Sequence, residues 1–209
     1  MIEFKNSRTA LNRDAVSSNA QFFADRWIMA ESLGHKLKVC EIGVAWGDFS
    51  KHLIDVTACD EFFAVDLFEL HKVEEVWGVK TTETLGGTTH LAYYTEEMLR
   101  HTRERCVMHF LSGHSHNIVT RLPDAYCDLI YIDGAHDFES VARDVSAYFQ
   151  KLKQGGILMF NDYTLRDPIG AESYGVVPVV NQLANHGYCS VIGFAMQEDF
   201  FCDIALQKL

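Results

Sequence analysis

The feature that most constrains this chain is the stretch Val39-Cys40-Glu41-Ile42-Gly43-Val44-Ala45-Trp46-Gly47-Asp48-Phe49-Ser50. An apolar run from Leu37 to Ile42, broken by Lys38, leads into Gly43 and Gly47, with small Ala45 between them. An amphipathic segment, Phe49 to Val56, follows. That order reads strand, tight turn, helix. Glycine lacks a Cβ and tolerates positive φ, so such a turn lets backbone approach a ligand closely. It also aims the first N–H groups of the helix at whatever sits in the crevice. The expectation is a nucleotide-like ligand at the end of a first parallel strand. A branched side chain at Gly43 is expected to block that ligand more than it harms folding.

The rest of the chain repeats the alternation. Glu61 to Phe68 reads as a second buried strand, Cys106 to Leu111 as a third, Cys127 to Gly134 as a fourth and Ile157 to Phe160 as a fifth. Helices are expected over about 95–105, 116–122, 138–153 and 176–186, with Gln154-Gly155-Gly156 ending the third of these. Two final strands, 189–194 and 200–206, flank the short turn Gln197-Glu198-Asp199 and suit an antiparallel hairpin that would give the sheet one antiparallel edge strand. Strands alternating with helices imply parallel pairing with right-handed crossovers. Residues 1–13 read as a loose arm and 14–33 as one helix covering the sheet, while 69–90 read as a polar excursion. The expected division is therefore 1–36, an N-terminal arm and covering helix, and 37–209, a single globular domain.

Charge narrows the partners. A net charge of −11 repels phosphate backbones, so nucleic acid is not expected as a partner. No run approaches the ~20 apolar residues of a membrane helix, and Met1 to Asn12 carries no secretory core. Cysteines at 40, 59, 106, 127, 189 and 202 form no Cys-x-x-Cys and mostly stand in apolar runs. They read as buried free thiols in a reducing, cytoplasmic compartment. A homo-oligomer is left open.

Three acids, Asp66, Asp133 and Asp162, stand where strands end, and Glu41 stands just before Gly43. In an open parallel sheet those ends converge on the ligand crevice. Asp66 lies about 20 residues past the glycine turn, the place from which a carboxylate accepts ribose hydroxyls. The turn lacks Gly-x-Gly-x-x-Gly spacing and has no basic neighbours to hold phosphates, so a nucleoside without phosphate fits better. His136 follows Asp133 by three residues and suits a metal ligand, a general base or a structural histidine. His109 reads as a packing histidine, Asp144 as structural or water-facing, and Trp27, Trp46 and Trp77 as packing residues, with Trp46 near enough to wall the ligand site.

Residues 40–163 resemble a class I S-adenosylmethionine-dependent methyltransferase. More narrowly, Tyr131-Ile132-Asp133-Gly134-Ala135-His136, Asp144, Leu152-Lys153-Gln154-Gly155-Gly156, Asn161-Asp162-Tyr163 and Tyr174 to Val180 resemble small-molecule O-methyltransferases acting on antibiotic sugars and related hydroxylated compounds. The resemblance implies an α/β, Rossmann-like fold: a seven-stranded, mostly parallel sheet with a C-terminal antiparallel hairpin and helices on both faces. It implies S-adenosylmethionine as cofactor and a small hydroxylated acceptor. Glu41, Gly43, Ala45 and Gly47 would surround the methionine part, and Asp66 would hold the ribose. Gly113, His114 and Ser115 fall in the adenine loop, and Asp133 closes the cofactor set. Asp133 and Asp162 resemble the carboxylate ligands of Mg²⁺ in metal-dependent members, with Tyr163 where some carry a third ligand. His136 and Asp133 would be catalytic. The alternatives are an NAD-type Rossmann oxidoreductase and a non-catalytic cofactor-binding protein of the same fold.

Overall fold

A computed structural model describes residues 2–167, 172–197 and 201–209. Apolar side chains alternate along the central strands and cover both faces of one sheet. Strand β1 is Val16–Phe23, β2 Lys38–Ile42, β3 Glu61–Asp66, β4 Glu75–Val76, β5 Val79–Lys80, β6 Val107–Ser112, β7 Cys127–Ile132, β8 Leu152–Phe160, β9 Cys189–Met196 and β10 Cys202–Lys208. Eight of these form the main sheet, in the order β1-β9-β10-β8-β7-β2-β3-β6. Cys40, Ile42, Phe63, Val65, Ile130 and Ile132 pack on one face, under helices α6 (Phe138–Tyr148) and α7 (Val176–Asn185). Val39, Phe62, Ala64, Leu129 and Tyr131 pack on the other. There they meet α1 (Arg26–Glu31), α2 (Asp48–Val56) and α4 (His90–Thr102), while short α3 (Thr81–Leu85) and α5 (Ser115–Ile118) lie in the connections. This is the expected Rossmann-like architecture, mostly parallel with antiparallel C-terminal strands and helices on both faces.

Winding runs outward from β2 in both directions, to β3 and β6 on one side and to β7 and β8 on the other. The carboxyl ends of β2 and β7 therefore diverge into connections on opposite faces, which opens a crevice between them. The glycine turn, Asp66 and Asp133 all stand at that edge.

Four expectations are corrected. The helix expected over 14–33 is instead strand β1 followed by the short helix α1. β1 pairs in parallel with β9, about the register Phe22↔Phe194, and makes the sheet eight-stranded rather than seven. Asp25 ends the strand's run by capping α1, accepting from Ile28 N at 2.8 Å. Residues 2–12 are not a loose arm: α7 holds them by side-chain amides. Gln182 bonds both backbone groups of Lys5, at 2.8 and 2.7 Å, and Asn181 and Asn185 donate to the Thr9 and Ala10 carbonyls. Gln154-Gly155-Gly156 does not end a helix. α6 stops at Tyr148 and those residues lie inside β8, where the register against β7 shifts and Gly155 takes φ 74°. Finally, antiparallel β10 is not an edge strand but is inserted between β8 and β9. The expected turn residues Glu198 and Asp199, and Phe200 beside them, lie outside the described residues, as do Pro168 and Gly170.

The polar excursion is also structured. It holds the two-stranded hairpin β4–β5 and α3, and Thr81 Oγ1 donates to the Val73 carbonyl at 2.5 Å. No helix among the described residues is long and apolar enough to cross a membrane.

Candidate active site

Two adjoining cavities, of about 220 and 420 Å³, open at the carboxyl ends of β2, β3 and β7. They share Gly43, Asp66 and Gly134, so the glycine turn and the second strand's acid form the divide between them. Their combined size is that of a small-molecule site.

Gly43 takes φ 85° and Gly47 φ 87°. A Cβ at Gly43 would lie 2.0 Å from the Asp133 carbonyl oxygen, and one at Gly47 would lie 2.9 Å from the Tyr94 ring. The expectation that a branched residue at 43 mainly obstructs a ligand is therefore corrected: it strikes the end of β7 first. Ala45 lies between them at φ 43°, a left-handed conformation that favours glycine. His90 fastens it, with Nε2 on the Ala45 carbonyl at 2.7 Å.

Asp66 accepts from Val44 N at 2.9 Å and from Phe68 N at 2.6 Å, one bond to each carboxylate oxygen. Each oxygen keeps a lone pair for a hydroxyl. Glu41 is buried at the floor of the larger cavity and accepts from Ser50 Oγ, whose hydroxyl in turn accepts from Tyr94. Burial pushes the Glu41 carboxyl up to about 8. In the smaller cavity, Gly113, His114 and Ser115 line one wall as expected. The Ser115 hydroxyl is committed to Asp144, which is buried and structural.

Asp133 and His136 line the larger cavity together, whereas Asp162 is not among its lining residues. His136 Nε2 lies 3.4 Å from Asp162 Oδ2 and 3.8 Å from Asp133 Oδ1, and its ring stacks on Tyr174 with centroids 4.8 Å apart. Burial lowers the His136 pKa, so the imidazole is neutral at neutral pH. Burial also raises both carboxyls, Asp133 to about 7 and Asp162 to about 6.

Four partners of this cluster were not legible as site residues. Arg26 of α1 donates from Nη1 to Asn161 Oδ1 at 2.9 Å and to the Tyr131 hydroxyl at 3.0 Å, and sits 3.6 Å from Asp133 Oδ2. Its guanidinium also lies over the Phe49 ring, 4.8 Å from the centroid. Asp203 of β10 is fully buried, with the Tyr131 hydroxyl 3.1 Å from its Oδ2 and Gln197 donating to its other oxygen. The usable signal was Asp203 itself, an acid inside the apolar run of β10 that demands a buried partner.

This arrangement does not fit the expected Mg²⁺. Asp133 Oδ2 faces the Arg26 guanidinium at 3.6 Å, and Asp162 turns to His136 and does not line the cavity. Among the described residues no group of three or more His, Cys, Asp or Glu side chains is arranged to hold a metal ion. Trp77, expected as a packing residue, is instead 76% exposed at the mouth of the larger cavity. His109 packs as expected, stacked on Phe63 and bonded to Glu61 at 2.8 Å.

Solved structures share the fold. An S-adenosylmethionine-dependent methyltransferase from Aquifex aeolicus is similar at TM-score 0.59 and 13% identity, over 88% of each chain. An O-methyltransferase from Bacillus cereus, in complex with S-adenosylhomocysteine, gives 0.57 and 12% over 87% of this chain and 78% of the other. The N-methyltransferase NodS from Bradyrhizobium japonicum, also with S-adenosylhomocysteine, gives 0.55 and 14% over 88% and 85%. A comparison with curated proteins gives no match. A family model described as a methyltransferase domain matches residues 40–163. That span carries the glycine turn and every strand-end acid of the crevice, and it is more than half of the chain: the protein belongs to the class I S-adenosylmethionine-dependent methyltransferase family.

Proposed function

We propose that the protein transfers the methyl group of S-adenosylmethionine to a hydroxyl of a small molecule, with His136 as general base and without a metal. The observation that carries this reading is that His136 lines the same cavity as the glycine turn. The cavities fit the cofactor: backbone at the turn is bare, Asp66 has lone pairs left for the ribose hydroxyls, and Gly113 to Ser115 lie on the adenine side. When bound, S-adenosylmethionine supplies an electrophilic methyl group that needs no further activation. The chain then has two tasks, to orient the acceptor hydroxyl in line and to take its proton. His136 takes the proton, its ring held by stacking on Tyr174 and by Asp162 and Asn161 beside Nε2. Asp133, held by Arg26, stabilises the imidazolium that forms. The buried free thiols of Cys40, Cys59, Cys106, Cys127 and Cys189 support a reducing, cytoplasmic setting.

The test is calorimetry with S-adenosylhomocysteine, followed by methyl transfer to hydroxylated acceptors with and without excess chelator. Binding, and transfer that persists in chelator, are expected. His136→Ala should lower the rate by about 10²- to 10⁴-fold with cofactor affinity unchanged. No heat at millimolar S-adenosylhomocysteine would end the cofactor reading. Transfer abolished by chelator and restored by Mg²⁺ would end the metal-free one.

A further inference from the structure

We propose that the acceptor is a planar ring bearing an acidic, phenol-type hydroxyl, and that Trp77 is the face on which it stacks. The inference rests on methyl transfer at His136 and adds the acceptor's class.

The first observation is where Trp77 stands. Val76 pairs with Val79, so Trp77 and Gly78 are the two central residues of a hairpin turn. Both take positive φ, 52° and 79°, the pattern of a type I′ turn. Asn, Asp and Gly suit those positions, and a bulky residue is strained there. Trp77 is 76% exposed, so core packing does not account for it either. A strained, solvent-facing indole at a cavity mouth points to a ligand. Trp27, Trp46 and Phe49 line the same cavity and extend the aromatic surface inward.

The second observation is that the hairpin is tied to the cofactor turn. The buried His90 ring accepts from Leu70 N at Nδ1, 3.5 Å away, and its Nε2 donates to the Ala45 carbonyl. Leu70 leads directly into the hairpin segment. The segment that leads into the hairpin is thereby tied to the glycine turn.

The third is chemical. His136 Nε2 lies 3.4 Å from Asp162 and 3.8 Å from Asp133, and on the metal-free reading the base works unaided. A phenol, with a pKa of about 10, gives up its proton far more readily than a water-like aliphatic hydroxyl at about 15.7. Only the phenol-type proton is within easy reach. Tyr131, Asn161 and Asp203, which a polyol could otherwise use, are bonded to one another and to Arg26 Nη1. In the step, the ring oxygen forms the O–CH₃ bond as the S–CH₃ bond breaks. The electron pair of that bond stays on sulfur, and the hydroxyl proton passes to the His136 imidazole.

The experiment uses the full chain, 2-naphthol and its saturated counterpart decahydro-2-naphthol. Each is titrated by calorimetry with and without S-adenosylhomocysteine, then offered as acceptor with S-adenosylmethionine. The aromatic alcohol should bind at least roughly tenfold more tightly and alone be methylated. Trp77→Ala should weaken 2-naphthol binding roughly tenfold and leave S-adenosylhomocysteine affinity unchanged, and Trp77→Phe should recover most of the loss. Equal affinity for the two alcohols, or unchanged 2-naphthol affinity in Trp77→Ala, would overturn the proposal. Failure of the wild-type chain to bind S-adenosylhomocysteine would instead overturn the methyl-transfer reading, while the Trp77 dependence of 2-naphthol binding still tests the platform.

Discussion

At residue 26 one guanidinium decides the electrostatics of the acceptor side. Asp133, Asp162 and Asp203 are brought together by three different strands, and Arg26 is the cation that faces them. Removing one partner of a buried ion pair leaves the other charge uncompensated. Arg26→Met should therefore cost about 3 kcal/mol in denaturant unfolding and push the Asp133 carboxyl further up. Asp66 acts at the same scale on the cofactor side. Asp66→Ala should weaken S-adenosylhomocysteine binding by roughly 1–3 kcal/mol in calorimetry, because ribose hydroxyls lose a charged acceptor. It should also lower the melting temperature, since Val44 N and Phe68 N lose their partner.

At the scale of elements, the glycine turn is a packing joint as well as a ligand cradle. Gly43 lies against the end of β7, with no room for even one methyl beside the Asp133 carbonyl. Gly43→Ala should destabilise the chain by about 3 kcal/mol, from overpacking and positive φ together. Thermal unfolding without ligand measures this, and an unchanged melting temperature would contradict the geometry. The hairpin β4–β5 is the opposite kind of element: two residues per strand, and closed at its base by Thr81 on the Val73 and Glu74 carbonyls.

For the whole molecule, buried carboxyls set the response to pH. Glu41, Asp133 and Asp162 titrate near 8, 7 and 6 in the folded chain, against about 4 when unfolded. Between those limits the folded chain holds more protons, so stability falls as pH rises from about 4 to about 8. His136, lowered by burial, acts in the opposite sense below about 6.5, where unfolding takes up its proton. Chemical denaturation across this range should show a net decline toward pH 8. Glu41→Gln keeps an acceptor for Ser50 and removes the charge, so it should flatten the upper part of that decline. An unaltered slope would place the titration elsewhere.

The amino-acid sequence by itself determined the β2–turn–α2 unit, the parallel core strands and the acids at their ends. These depend on local pattern: apolar runs, paired glycines and the spacing from Gly43 to Asp66. It also carried His136 to the crevice, because the end of a parallel strand has one place to go. What the tertiary structure decided are pairings between distant segments. Val16 to Phe23 has no clean two-residue alternation, and it becomes a strand because β9 offers an edge to its backbone. The insertion of β10 between β8 and β9 is settled by competing ladders that no local pattern reports. Arg26 reaches the acid cluster only because α1 is short and β1 precedes it. From sequence, two acids call for a cation, and only the fold reveals that Arg26 stands 3.6 Å from one of them.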